Sequence, residues 1–221
     1  MVRTSDDARF WDRIARKYAR DQISDMAGYE RTIDRTRRLL AASDTVLEIG
    51  CGTGTTALKL APSVAHIVGS DISGEMIAIA REKALAEACP NADFKVAPAE
   101  RGSDRDGAYD AVLALNLLHL VPERKATLAA IDRALKPGGL FISKTPCMSE
   151  MNPLIRIAVP AMRLIGKAPT VSFFSAGELE AEIAGAGFSI MERERHGSGR
   201  KDARIFIVAS KAAAGQRARH G

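Results

Sequence analysis

The chain has 221 residues, 46% hydrophobic and 27% charged, a composition and length that fit one large folded domain. No apolar run reaches the ~20 residues that cross a bilayer, and the charged start MVRTSDDARFWDRIARKYAR lacks a signal-peptide core, so a cytoplasmic protein is expected. The net charge of +5 is spread along the chain without a recognisable nucleic-acid motif, and the odd, scattered Cys51, Cys89 and Cys147 argue against a disulfide framework or a zinc site.

Phe10, Trp11, Ile14, Ala15 and Tyr18 fall at helical spacing, which predicts an amphipathic helix from Asp6 to Arg20. A second helix is expected from about Tyr29 to Ala41. Thr45 to Ile49 reads as a short buried strand running into glycines, and His66 to Ser70 as the next strand, ending at Asp71. Ser73 is a suitable cap for a helix from Gly74 to Ala88, with Glu75 in its first turn. Strands at Phe94 to Ala97, Tyr109 to Leu115 and Leu140 to Lys144 follow, with a helix from Glu123 to Leu135 between the last two. Strands alternating with helices imply crossover units and a mainly parallel sheet covered on both faces. A helix from Ala176 to Ala186, then Phe188 to Glu192 and Ile205 to Ala209 around a Gly-Ser-Gly connection, predict a terminal hairpin.

The segment Val46-Leu47-Glu48-Ile49-Gly50-Cys51-Gly52-Thr53-Gly54-Thr55 is the most informative. A strand that runs into glycines lets a ligand approach the backbone, at the carboxyl end of the sheet where open α/β folds bind ligands. Asp71, 21 residues after Gly50, stands where a carboxylate can accept hydrogen bonds from both hydroxyls of a ribose. A dinucleotide fingerprint would place its third glycine at position 55, where this chain has Thr.

VLEIGCGTG resembles the first motif of class I S-adenosylmethionine-dependent methyltransferases, and Asp71 in VGSDISGEMI resembles their second-strand acid. FKVAPAE (Phe94 to Glu100), YDAVLALNLLHLV (Tyr109 to Val121) and LKPGGLFI (Leu135 to Ile142) resemble the third, fourth and fifth strands with their loops. The resemblance implies a Rossmann-like α/β fold: a mostly parallel seven-stranded sheet with an antiparallel last strand and helices on both faces. It implies that residues 1–211 form a single domain, with residues 1–41 as helices over the cofactor and residues 148–175 as a lid; residues 212–221 read as a basic tail without fixed structure. S-adenosylmethionine is the implied cofactor. Gly50, Cys51, Gly52 and Gly54 would line its methionine end, and Glu48 would orient the amine. Asp71 would bind the ribose, Ile72 and Met76 would flank the adenine, Ala99 or Glu100 would lie near its amino group, and Asn116 near the sulfonium. Family members commonly carry an Asp in the third-strand loop, where this chain has APAERGSDRDG; Glu100 is the substitute there.

Tyr18 is a further cofactor contact if the first helix closes over the site, and core packing is its other reading. His119, after the fourth strand, is the candidate general base, because a histidine titrates near neutral pH; a structural histidine packing the loop is the alternative. The lid segment from Met148 to Ser175 is apolar with Arg156, Arg163 and Lys167 interspersed, and Pro160 is expected to kink or break any helix there. Three readings of it stay open: a plain lid, a lid over a quinone-like or other apolar small molecule, and a membrane-facing lid for a lipid acceptor. The expected function is methyl transfer to a small apolar or amphiphilic acceptor, with no nucleic-acid partner. A lipid methyltransferase at the inner membrane surface is the alternative, and a non-catalytic S-adenosylmethionine-binding protein is the alternative of another class.

Overall fold

A computed structural model describes residues 2–199 and 202–213. The basic tail from residue 214 onward lies outside the described residues. The helices are α1 (Val2–Arg20), α2 (Met26–Leu39), α3 (Thr55–Leu60), α4 (Gly74–Ala86), α5 (Arg124–Ala134), α6 (Ile155–Leu164) and α7 (Ala176–Gly185). The strands are β1 (Thr45–Ile49), β2 (His66–Asp71), β3 (Ala92–Val96), β4 (Tyr109–Leu115), β5 (Leu135–Pro146), β6 (Phe188–Glu194) and β7 (Arg204–Lys211). They form one sheet in the order β3-β2-β1-β4-β5-β7-β6. The pairs from β3 through β5 are parallel, whereas β7 runs antiparallel to both β5 and β6.

The central strands are apolar on both faces because both faces are covered, the pattern of a parallel sheet. Successive side chains point to opposite sides, so Leu47, Val112 and Phe141 pack with Leu128 and Ile131 of α5 and Leu179 and Ile183 of α7. Val46, Leu113 and Ile142 face the other way, onto Ile33 of α2, Leu58 of α3 and Ile77 of α4. Burial of each such side chain stabilises the fold by about 1.5–3 kcal/mol before chain entropy is counted.

Local signals set most element ends. The Ser73 hydroxyl accepts from the Met76 N–H and caps α4, as the sequence predicts. Ser175 and Glu178 form a reciprocal capping box on α7. Helix α2 begins three residues before the expected Tyr29, because the Asp25 carboxylate accepts from the Gly28 N–H and starts the first turn there. Of the kink or break expected at Pro160, a break is not found: α6 continues through it. Proline removes one donor and crowds the preceding turn. A helix with no buried residue, as α6 is, has an open face on which that crowding can be relieved.

Helix α1 is fastened across the carboxyl edge of the sheet. The Asp12 carboxylate accepts from the Ser73 hydroxyl (2.6 Å) and the Glu75 N–H (3.1 Å), both at the start of α4. Ala15 packs with Met76 and Ile79, and Trp11 closes the same cluster. Helix α2 is held from the far side, where Arg35 pairs with Glu192 of β6 and Arg31 donates to the His196 carbonyl (2.8 Å). The two helices thus roof the ends of β1 to β5.

Candidate active site

Under this roof lies a cavity of about 910 Å³, whose walls come from the ends of β1 through β5, the loops after them, and α1 and α2. Glu48, Gly50, Cys51 and Gly52 line it from β1 and its loop, and Asp71, Ile72 and Met76 from β2 and α4. Ala99 and Glu100 follow β3, Asn116 follows β4, and Tyr18 reaches in from α1. Of the residues singled out in the sequence for a ligand, the cavity gathers all but Gly54 and His119.

Gly54 has another task. It begins α3 in the left-handed conformation (φ +73°), and a β-carbon there would lie 2.8 Å from the Ala80 Cβ and 2.9 Å from the Phe94 ring. Its missing side chain serves the packing of α3 against α4 and β3. Gly52 (φ +54°) is the open glycine: a β-carbon would meet only the Tyr18 ring, at 3.9 Å, so a ligand can lie against this stretch of backbone.

His119 sits in the short 3₁₀ turn Leu118–Leu120. Residues three apart share a face in such a turn, so Leu117 and Leu120 look into the cavity and His119 is not part of its wall. Its Nδ1 is buried without a hydrogen-bond partner among the described residues, and burial pulls its pKa down to about 4. The ring is therefore neutral across the ordinary pH range and has no surface on the cavity.

The acidic pair is built for a polar ligand. Asp71 Oδ2 accepts from the Gly52 N–H (3.0 Å) and Oδ1 from the Ser73 N–H (2.9 Å), which leaves a lone pair on each oxygen. Partial burial raises its pKa, and the backbone donors of Ser73, Gly52 and Ile72 oppose that rise. Glu48 is fully buried. Desolvation, with the Asp71 charge adding to it, pushes its pKa up to about 8 against the opposing Ala57 N–H. Its Oε2 has no partner among the described residues. A buried acceptor left open beside a bare backbone and a second carboxylate fits the amine and ribose of an adenosyl amino acid. Asn116 adds a left-handed residue (φ +55°) at the end of β4, its N–H donating to the Lys144 carbonyl (2.6 Å). Asn adopts this conformation more readily than most residues.

The far half of the cavity was not read from the sequence. Ile23, Met26, Leu115, Leu117, Leu120 and Val121 give it an apolar surface, and Thr32, Lys144 and Arg204 supply polar groups; Tyr29 stands on the glycine-loop side, its hydroxyl 3.2 Å from the Thr56 hydroxyl. Asp7 and Trp11 join Tyr18 on the α1 side. Lys144 is the residue for which a signal existed, a cation directly after the mostly apolar stretch of residues 140–143.

Comparison with known proteins agrees with this geometry. Residues 46–139 match the family described as "Methyltransferase domain". A ubiquinone biosynthesis O-methyltransferase of Xanthomonas oryzae pv. oryzae is 35% identical over 108 residues, a match spanning 48% of this chain and 45% of that protein. The enzyme of the same name from Acinetobacter baumannii is 27% identical over 190 residues, 84% of this chain and 79% of the relative. The chain thus spans less than half the length of the first of these relatives and most of the second. Among solved structures, a SAM-dependent methyltransferase from Methanosarcina mazei superposes with a TM-score of 0.66 at 25% identity, over 81% of this chain and 98% of that one.

Proposed function

We propose that this chain, whose residues 46–139 match a methyltransferase domain, is a class I S-adenosylmethionine-dependent methyltransferase that transfers a methyl group to a small quinone-like acceptor, apolar or amphiphilic. The observation that carries the reading is the division of one cavity into two chemically distinct halves. One half offers Glu48, Asp71 and the open backbone at Gly52; the other, over the ends of β4 and β5, sets apolar Leu115, Leu117, Leu120 and Val121 beside Lys144 and Arg204. The enzymes named for ubiquinone biosynthesis at modest identity support a quinone-type acceptor for that chamber.

In this reading Asp71 accepts hydrogen bonds from the ribose hydroxyls, and Ile72 and Met76 flank the adenine. Ala99 and Glu100 lie at its amino edge, Glu48 holds the amine, and Asn116 stands beside the sulfonium. When bound, the cofactor would supply a methyl group already activated by positively charged sulfur, for transfer to a lone pair of the acceptor. The protein's part is to hold the acceptor in line and to exclude water, a contribution of proximity and orientation. Trp11 and Tyr18 of α1 line the cofactor side of the cavity, and Met26 of α2 the acceptor side.

Calorimetry with S-adenosylmethionine, S-adenosylhomocysteine and NAD tests the cofactor, with Asp71→Ala as control. The two adenosyl ligands should bind in the micromolar range and be lost in the variant. A preference for NAD refutes the reading. A screen of hydroquinones and catechols for S-adenosylhomocysteine formation then tests the acceptor class.

A specific feature favours peripheral membrane contact as an accompaniment. Helix α6 and its ends expose Leu154 (68%), Ile157 (73%) and Leu164 (89%), with Arg156, Arg163 and Lys167 beside them. That arrangement suits an anionic lipid surface from which an apolar acceptor could be drawn. Among the described residues no helix is long and apolar enough to cross a membrane.

A further inference from the structure

Lys144 and Arg204 are the cations of the acceptor half of the cavity. They stand on neighbouring strands, in the register Lys144↔Phe206 and Pro146↔Arg204. Side chains two apart on a strand share a face, so Arg204 joins Phe206 and Lys144 on the side of the sheet that α2 covers. Diagonal neighbours of this kind are about 7–8 Å apart, close enough for long side chains to meet. Two like charges placed together under a helix repel each other unless an anion lies between them.

Each cation keeps a donor for a ligand. Lys144 is buried, with 5% of its surface exposed, and an ammonium carries three N–H groups. Its Nζ donates to the Thr32 hydroxyl (2.7 Å) and the Gly28 carbonyl (3.3 Å), and the Thr32 hydroxyl gives its own proton to that carbonyl (2.8 Å). One N–H is left for the cavity that Lys144 lines. Arg204 Nε donates to Asp202 (2.7 Å) and Nη2 to Asp25 (3.4 Å), whereas Nη1 has no partner among the described residues.

The charges nearby do not cancel. Around Lys144 stand Arg204 of β7, Arg31 of α2, Asp25 before α2 and Asp202 before β7. With the ammonium itself, that sets three cations against two carboxylates. Asp202 does not border the cavity. Asp25 does, but its oxygens already accept from the Gly28 N–H (3.0 Å), the Ser198 N–H (2.9 Å), the Ser198 hydroxyl (2.7 Å) and Arg204. Both acids pair with Arg204, and Lys144 has no ion pair among the described residues. Burial lowers the pKa of Lys144 and Arg204 lowers it further, so an anion bound beside it would steady the ammonium.

We propose that Lys144 Nζ and Arg204 Nη1 together hold a carboxylate carried by the acceptor, which makes the acceptor a hydroxylated aromatic acid. This rests on the methyltransferase reading above and names the polar end of its amphiphilic acceptor. One excess positive charge suits a monoanion, and a planar guanidinium beside a further N–H matches the two oxygens of a carboxylate. Leu115, Leu117, Leu120 and Val121 supply the apolar surface for the ring. Leu115 of β4 is the register partner of Lys144, and Asn116 follows it directly. A ring anchored between the two cations therefore turns its hydroxyl towards Asn116, where the sulfonium would stand. Lys144 and Arg204 select and position the acceptor, and neither proton nor methyl group passes through them.

The test is calorimetry on the whole protein saturated with S-adenosylhomocysteine, so that the cofactor half is already filled. Affinity for S-adenosylhomocysteine is measured first; if it is absent, the methyltransferase reading fails and the proposal falls with it. The acid 3,4-dihydroxybenzoate should then bind about tenfold or more tightly than its neutral isostere 3,4-dihydroxybenzamide. Lys144→Met should erase that preference at unchanged S-adenosylhomocysteine affinity; Lys144→Gln, which keeps N–H donors for Thr32 and Gly28, replaces it if Met disturbs folding. Arg204→Lys, which keeps the charge but gives up the fork, should cut the preference about threefold or more. Equal affinity for acid and amide in wild-type protein that binds S-adenosylhomocysteine overturns the proposal. So does a preference for the acid that survives in the Lys144 variants, or an acid that fails to bind at millimolar concentration.

Discussion

Replacing Glu48 by Gln should stabilise the empty protein while weakening its hold on S-adenosylmethionine, and both effects should depend on pH in a defined sense. The carboxyl titrates near 4.5 as an ordinary glutamate and near 8 in the fold, because burial beside Asp71 disfavours its charge. Between these values the folded protein holds a proton that the unfolded chain has lost. Wild-type stability from this group is therefore intact at low pH and declines as pH rises from about 4.5 to 8. At 1.36 kcal/mol per unit, the loss between about pH 5 and 7.5 is roughly 3 kcal/mol. Gln does not titrate, so urea unfolding of the two ligand-free proteins should show the variant gaining about that much over the same range. Parallel stability curves would refute the reasoning, since they would mean Glu48 is not buried as an acid. Binding a cationic amine reverses the sign of the interaction and expels the proton. Wild-type affinity for S-adenosylmethionine should then rise up to tenfold per pH unit below about 8 and flatten above it, with proton release visible in buffers of different ionisation enthalpy. The Gln variant should bind more weakly and without that slope.

Gly54→Ala should destabilise by about 2–4 kcal/mol in urea unfolding, from the left-handed backbone and the collision with Ala80 and Phe94; a loss below about 0.5 kcal/mol would contradict the packing. His119→Gln should leave the pH profile of turnover unchanged, because the ring is neutral and off the cavity wall; a lost pH dependence would restore it as a base. Sedimentation with anionic vesicles should fall about tenfold or more in the double variant Ile157→Asp, Leu164→Asp, while S-adenosylhomocysteine affinity stays the same. Equal sedimentation of both proteins would remove α6 as a membrane contact.

The sequence by itself determined the alternation of strands and helices, the glycine loop, and Asp71 at the end of the second strand. These are local facts: burial on both faces writes an apolar run, and a backbone open to a ligand writes glycines. It also showed that Glu48 and Asp71 flank the loop, since both close strands adjoining it. It could not tell which glycine of the loop faces a ligand. Gly54 is explained by Ala80 and Phe94, both distant in sequence. It favoured His119 by position after a strand, whereas a three-residue turn decides which side chains of that loop look inward. Pro160 was expected to kink or break a helix that the fold leaves exposed and unbroken. The acceptor half is the clearest case. Lys144 and Thr32 are 112 residues apart, and His196 comes from the segment after β6. No spacing links them, because they meet only when α2 folds over the end of β5 and β7 slots in beside it. Sequence encodes what each element buries, whereas the chemistry between elements is decided by their packing.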